Sequence, residues 1–242
     1  MRHVRVILAF AVFVCSVAPG EAASLLLKDL ITNNGALVQG DKLFNDFNIQ
    51  IASTSGLAFP AIDTIAVEGI TRNGEHGLRF AGSLSALGQP EGGSGWTIVL
   101  NYSVTSLDPL FLIHDLTIAS SVTTRDGAVA ITEQVFGPAS LLLAEGSANA
   151  AGMFPVDPNV TEINDHRVLD QDLSSIDVQS IIAARGFRTQ FCSPCGSASI
   201  SYIDQTFSQT EAVPEPGTFV LLAIGLSAAC LRGVLHSNAP LM

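Results

Sequence analysis

Three histidines and one acid-rich stretch are the residues of this chain best suited to chemistry. His76, His114 and His166 carry imidazoles, the side chain most often used for acid–base work and metal ligation. His76 lies between Gly74 and Gly77, as in a turn, and His166 follows Asp165. His114 shares the alternation of Leu112 and Leu116, which predicts a hydrogen-bonded core histidine. No two histidines have the i, i+4 spacing of a helical metal motif, and none stands beside a nucleophile signature. The acids Asp157, Glu162, Asp165, Asp170, Asp172 and Asp177 offer the hard oxygens that calcium takes, roughly six to eight at a time. Their spacing matches neither an EF-hand nor a calcium-binding nonapeptide repeat. On a strand, Asp170 and Asp172 point the same way, giving either half of a site or a solvated face. Asp165, Asp170 and Asp172 are the calcium candidates, and no other metal or cofactor is implied. A hydrolase needs His166 to meet Asp170 or Asp172 in space, or two carboxylates about 5–10 Å apart across a cleft. No catalytic motif is present.

Cys192 and Cys195 flank Ser193-Pro194 and precede Gly196. A thioredoxin-like reading needs such a pair to open a helix, whereas Pro194 and Gly196 favour a turn. A zinc site needs a second ligand pair, and none matches. The expectation is a small disulfide closing a tight turn in an oxidising compartment, with free thiols the alternative. A carbohydrate-binding module needs an exposed aromatic platform, for which Trp96, Tyr102 and Tyr202 are the candidates. The Gly92-Gly93-Ser94-Gly95 run lacks the Lys and following helix of a phosphate cradle, and reads as a hairpin loop.

Strands must position these groups. Trp96, Ile98, Leu100, Tyr102 and Val104 alternate with Thr97, Val99, Asn101 and Ser103, the period-two signature of a half-buried strand. Leu110, Leu112, Leu116 and Ile118 are expected to repeat it on one face. Further strands are predicted at 44–52, 62–70, 77–81, 128–136, 140–144, 167–173, 177–184 and 198–207. Turn chemistry separates them at Asn34-Gly35, Asn73-Gly74, Asp108-Pro109, Asp126-Gly127, Gly137-Pro138 and Asp157-Pro158-Asn159. Eight to eleven short strands, with no long amphipathic helix, predict an all-β fold, a β-sandwich or jelly roll.

The chain holds 22 acidic and 11 basic residues. The acids Glu21 and Glu215 and the bases Arg2, Arg5 and Arg232 lie outside 23–213, so that span keeps 20 acids against 8 bases, a net charge of −12. Such a surface repels nucleic acid and anionic lipid, and no basic stripe offsets it. About 190 residues suffice for one domain with a substantial core.

Both ends read as processing signals. Arg2, His3 and Arg5 form a basic start, 6–14 is unbroken apolar sequence, and Gly20-Glu21-Ala22 offers small residues to a signal peptidase. A signal peptide over 1–22, cleaved after Ala22, is expected. The residues before Cys15 are not those of a lipoprotein signal. At the other end, Val213-Pro214-Glu215-Pro216 precedes an apolar run, 218–231, and then Arg232. The prolines keep the tetrad extended and bar a helix from continuing upstream. The run is shorter than the roughly 20 residues that span a bilayer, which suits a temporary tether.

This layout resembles the PEP-CTERM sorting segment of bacterial exosortase substrates, here over 213–235 with a 236–242 tail. The resemblance implies transient retention in the inner membrane and cutting beside Pro214-Glu215-Pro216 by an exosortase-type transpeptidase. The usual basic cluster after the helix is reduced to Arg232. The 23–212 span is similar to a recurrent ectodomain type of that family. The likeness rests on Leu27-Lys28-Asp29-Leu30-Ile31, Gly40-Asp41-Lys42-Leu43-Phe44-Asn45-Asp46-Phe47 and Leu100-Asn101-Tyr102-Ser103-Val104. It extends to Ile113-His114-Asp115-Leu116, Ile131-Thr132-Glu133-Gln134 and Ile203-Asp204-Gln205-Thr206-Phe207-Ser208. It implies an exported surface or matrix β-sandwich with a structural or adhesive role. Extracellular polysaccharide is its candidate partner, and it supplies no catalytic residues.

Overall fold

The alternation read at 96–104 is the inner face of a strand. In β6 (Ser94–Ser106) each even-numbered residue is buried and each odd-numbered one partly exposed. The same two-residue period repeats in β8 (Gly127–Phe136) and β11 (Ser175–Gly186), which flank one another in the sheet. The computed structural model describes residues 24–55, 62–88, 94–152, 159–187 and 196–212. The segments expected at 1–22, 213–235 and 236–242, with Val213, Pro214, Glu215, Pro216 and Arg232, lie outside the described residues, as do Cys192 and Cys195.

The remaining elements complete two six-stranded antiparallel sheets. They are β1 (Leu25–Leu26), α1 (Leu27–Thr32), β2 (Leu37–Gln39), β3 (Lys42–Ser55), β4 (Ala66–Arg72) and β5 (Glu75–Leu87), then β7 (Phe111–Arg125), β9 (Leu142–Gly152), β10 (Asn159–Leu173) and β12 (Ser197–Glu211). One sheet runs β1-β4-β5-β12-β7-β10 and the other β2-β3-β6-β11-β8-β9. From β5 onward that order is the double Greek key of a jelly roll, with β3 and β4 each adding a strand to one sheet. The all-β sandwich expected from the sequence is therefore the fold. Both sheets belong to a compact unit ending at Thr210.

Two of the differences from the sequence reading bear on the site. The strands are long rather than short: β3, β7, β10 and β12 each run 14 or 15 residues. Residues with positive φ mark several of the turns between strands, at Asn73, Asp126 and Ala139. Asn73 and Gly74 both adopt positive φ, 53° and 89°, matching the tight turn that joins β4 to β5. The second difference lies at the start of β7. Ile113 is buried in the core, whereas Leu110 is 63% exposed. The pairing of β10 with β7 slips between Val168 and Leu173, so residues 169–172 bulge opposite His114. The slip moves His114 off the face of Leu116.

The inward faces meet in one core. Phe44, Phe47, Phe80, Tyr102 and Phe207 contribute rings with centroids 5.8–6.4 Å apart, surrounded by Ile, Leu and Val from both sheets. A polar network crosses this core. The Gln205 amide of β12 donates to Glu133 Oε1 (2.5 Å) of β8 and to Ser180 Oγ (2.8 Å) of β11. Gln205 also accepts from the Tyr102 hydroxyl (2.6 Å) of β6. It thus ties one sheet to three strands of the other.

Candidate functional site

The structure separates the histidines and pairs each locally. The β10 bulge brings Asp172 to His114, with Oδ1 2.8 Å from Nδ1, while the Thr210 hydroxyl donates to Asp172 Oδ2 at 2.7 Å. Burial alone would raise the Asp172 pKa, but these two hydrogen bonds outweigh it and hold it below the ordinary carboxylate value. His166 meets Asp115 (3.1 Å) instead of Asp170 or Asp172, and the Ser208 backbone N–H donates to the same carboxylate at 3.3 Å. His76 lies 3.0 Å from the Thr71 hydroxyl. Asp165 pairs with Arg167 at 3.0 Å, and Asp170 is exposed. Asp165 and Asp172 thus face different partners while Asp170 faces solvent. Among the described residues no group of three or more His, Cys, Asp or Glu is placed to hold a metal ion.

The first sheet's outer face carries an arginine–carboxylate cluster that sequence spacing did not reveal. Cross-strand register aligns Glu68 of β4, Arg79 of β5 and Asp204 of β12. Arg79 grips Asp204 bidentately (2.7 and 2.9 Å) and stacks over Tyr202, 4.3 Å from the ring centre. The hydrogen bonds to Asp204 raise the Arg79 pKa further, as Glu162 does for Arg72. Arg72 on β4 also reaches Glu162 on β10 at 2.5 Å, although three strands lie between them. A flat sheet would hold β4 and β10 about 19 Å apart, beyond the joint reach of these side chains. The outer face of this sheet is therefore concave. Its charged groups are largely consumed by one another.

The aromatic platform on which a carbohydrate-binding module of the usual kind stacks sugars does not form from Trp96 and Tyr102. Trp96 and Tyr102 are core residues, 3% and 2% exposed, and the Trp96 N–H is satisfied by the Ser85 carbonyl (2.9 Å). Tyr202 lies under Arg79. Period two foretold the burial of Trp96 and Tyr102, since both share the inward parity of Leu100.

The second sheet's outer face is of another kind. Register places Asn48, Asn101, Gln179, Gln134 and Glu145 side by side across β3, β6, β11, β8 and β9. All five sit on the parity opposite the buried Leu100, Ser180 and Glu133. Gln179 donates to Asn101 Oδ1 at 2.9 Å. Next to this row, Asp46, Asn101, Ser103, Phe136, Asp177 and Gln179 line a hollow of about 240 Å³. Ser103 donates to Asp177 at 2.6 Å there. Asp46 turns at a bulge in β3 with φ of 56°, and the neighbouring Asn45 Oδ1 is buried without a hydrogen-bond partner.

No protein-family model matches the chain, and no curated protein sequence matches it. Among solved structures, the carbohydrate-binding module TmCBM61, in complex with β-1,4-galactotriose, gives a TM-score of 0.31 at 12% identity, over 67% of this chain and 89% of that one. The enzymatically active domain of bacteriophage CBA120 tailspike protein 4 gives 0.32 at 7%, over 67% of this chain and 19% of that one. An arabinose-bound MgGH51 α-L-arabinofuranosidase gives 0.25 at 11%, over 66% of this chain and 23% of that one. Likenesses this distant carry no argument about activity.

Proposed function

We propose that the chain is an exported bacterial surface or extracellular-matrix protein, a β-sandwich with a structural or adhesive rather than catalytic role. The observation that carries this reading is the ordered run of Val213-Pro214-Glu215-Pro216, apolar 218–231 and Arg232. An extended tetrad beside a marginal apolar run suits cutting by an exosortase-type enzyme while the chain is briefly held in the inner membrane. The acidic, jelly-roll body supports the reading, because its histidines and carboxylates pair off locally instead of gathering around one reacting position. Replacing Pro214, Glu215 and Pro216 together by alanine is expected to leave a membrane-retained, uncut species in the native host, measured by fractionation and intact mass. Normal release of that variant overturns the sorting reading. Binding an extracellular polysaccharide is one way such a protein adheres, and the amide-lined face of the second sheet supports that role.

A further inference from the structure

We propose that the outer face of the β3-β6-β11-β8-β9 sheet binds a neutral polysaccharide through a row of amide hydrogen bonds in place of the absent aromatic platform. The glycan crosses the strands along Asn48, Asn101, Gln179, Gln134 and Glu145, and one sugar ring sits in the hollow beside Phe136. The proposal deepens the adhesive reading by naming its ligand class, and it rests on that reading for the biological setting only.

Three observations converge on this face. The first is open hydrogen-bonding capacity. Each Asn or Gln amide carries both donors and acceptors, and so does each sugar hydroxyl. Gln179 and Asn101 hold one another in register, but among the described residues the side chains of Asn48 and Gln134 make no internal hydrogen bond. On the first sheet, by contrast, the arginines and carboxylates already satisfy one another. The second is charge. The 23–213 span has a net charge of −12, yet four of the five row residues are uncharged amides. Polyanions are repelled by the whole molecule and find no basic partner along the row. A hydroxyl-rich neutral chain meets neither obstacle.

The third observation is shape. The row crosses five strands, about 19 Å at ordinary strand spacing, so it matches an extended oligosaccharide better than a single sugar. The hollow places a partly exposed ring, Phe136, beside its cross-strand neighbour Asp177, with Asp46 also in the lining, giving an apolar wall and two acceptors for one sugar unit. Ser103 fixes the Asp177 carboxylate, so the acceptor is preorganised.

The test uses the purified full chain in affinity electrophoresis against neutral glucans, galactans and mannans, with polyuronates as the anionic arm. At least one neutral polymer is expected to retard the protein, and polyuronates are not. The double variant Asn101→Ala/Gln179→Ala is expected to weaken retention by about tenfold or more with an unchanged melting curve, since both side chains point away from the core. Asn164→Ala, on the outer face of the other sheet, is expected to bind like the parent. The proposal is overturned by retention on polyuronates alone, by no neutral polymer binding, or by parental binding of the double variant. Loss of self-association in the double variant, seen by sedimentation, overturns it in favour of a second copy as occupant. Glycan binding in vitro does not depend on sorting, so it can fail while the triple-alanine sorting experiment succeeds, and the reverse.

Discussion

Glu133→Gln is expected to make the protein more stable at neutral and alkaline pH, and not in acid. Glu133 is buried between the sheets, and desolvation raises its pKa from 4.5 to about 8 despite hydrogen bonds from Ser180 and Gln205 that pull it down. A carboxyl raised on folding stays neutral in the native state while the unfolded chain ionises. Its contribution is therefore fully present below pH 4.5 and is lost progressively as pH rises toward about 8. At about 1.36 kcal/mol per unit, the loss is on the order of 3 kcal/mol at pH 7 and 5 kcal/mol above pH 9. Against a typical total of about 5–15 kcal/mol this is a large fraction. Glutamine keeps the shape of the neutral carboxyl, accepts from Gln205 through its carbonyl and donates to Ser180 through its amide. Urea unfolding of both proteins at pH 4, 7 and 9 reads the difference directly. The expected gap is near zero at pH 4 and on the order of 3 kcal/mol at pH 7, or roughly 6–12 °C in Tm. A gap that does not change with pH, or a glutamine variant weaker at pH 7, refutes the reasoning, because it would mean that Glu133 is ionised in the folded core.

Other perturbations test the elements that hold the faces in place. Asp204→Ala removes a 3% exposed carboxylate from under two guanidiniums and is expected to cost about 1–3 kcal/mol in urea unfolding. That is less than for a wholly buried pair, since Arg72 and Arg79 each keep about a third of their surface in water. Thr210→Val removes one of the two hydrogen bonds that hold the Asp172 pKa down, and is expected to cost about 0.5–1.5 kcal/mol at neutral pH. A lowered carboxyl pKa gives stability that is present above the unfolded value and lost as pH falls through the folded one, so the variant's deficit should shrink in acid titration. Gly77→Ala drives a Cβ into the Gln205 carbonyl oxygen and is expected to destabilise by about 3 kcal/mol, with faster amide exchange along β5 and β12.

The fold was largely legible because burial on a strand obeys a period of two, and β6, β8 and β11 keep it without interruption. The burial of Trp96 and Tyr102 was written in that same parity. His114 is hydrogen-bonded as expected but stands partly exposed rather than in the core, where a bulge in the neighbouring strand β10 breaks the period, and no local residue type announces it. Glu133 carries the inward parity of Ile131 and Val135, so a buried acid was readable at that position. Its partner Gln205 is 72 residues away in the chain and could not be read from it.

Sequence alone determined the strand periodicity, the turn sites at Asn73-Gly74 and Asp126-Gly127, and the acidic charge, because each depends on near neighbours or on composition. Tertiary structure alone decided which residues stand side by side across a sheet. The Asn48–Asn101–Gln179–Gln134–Glu145 row joins five strands, of which only β8 and β9 are neighbours in sequence, and the Arg72–Glu162 bond closes over three others. Register is set by how two sheets bury their apolar faces against each other, a global condition that local residue preferences do not contain.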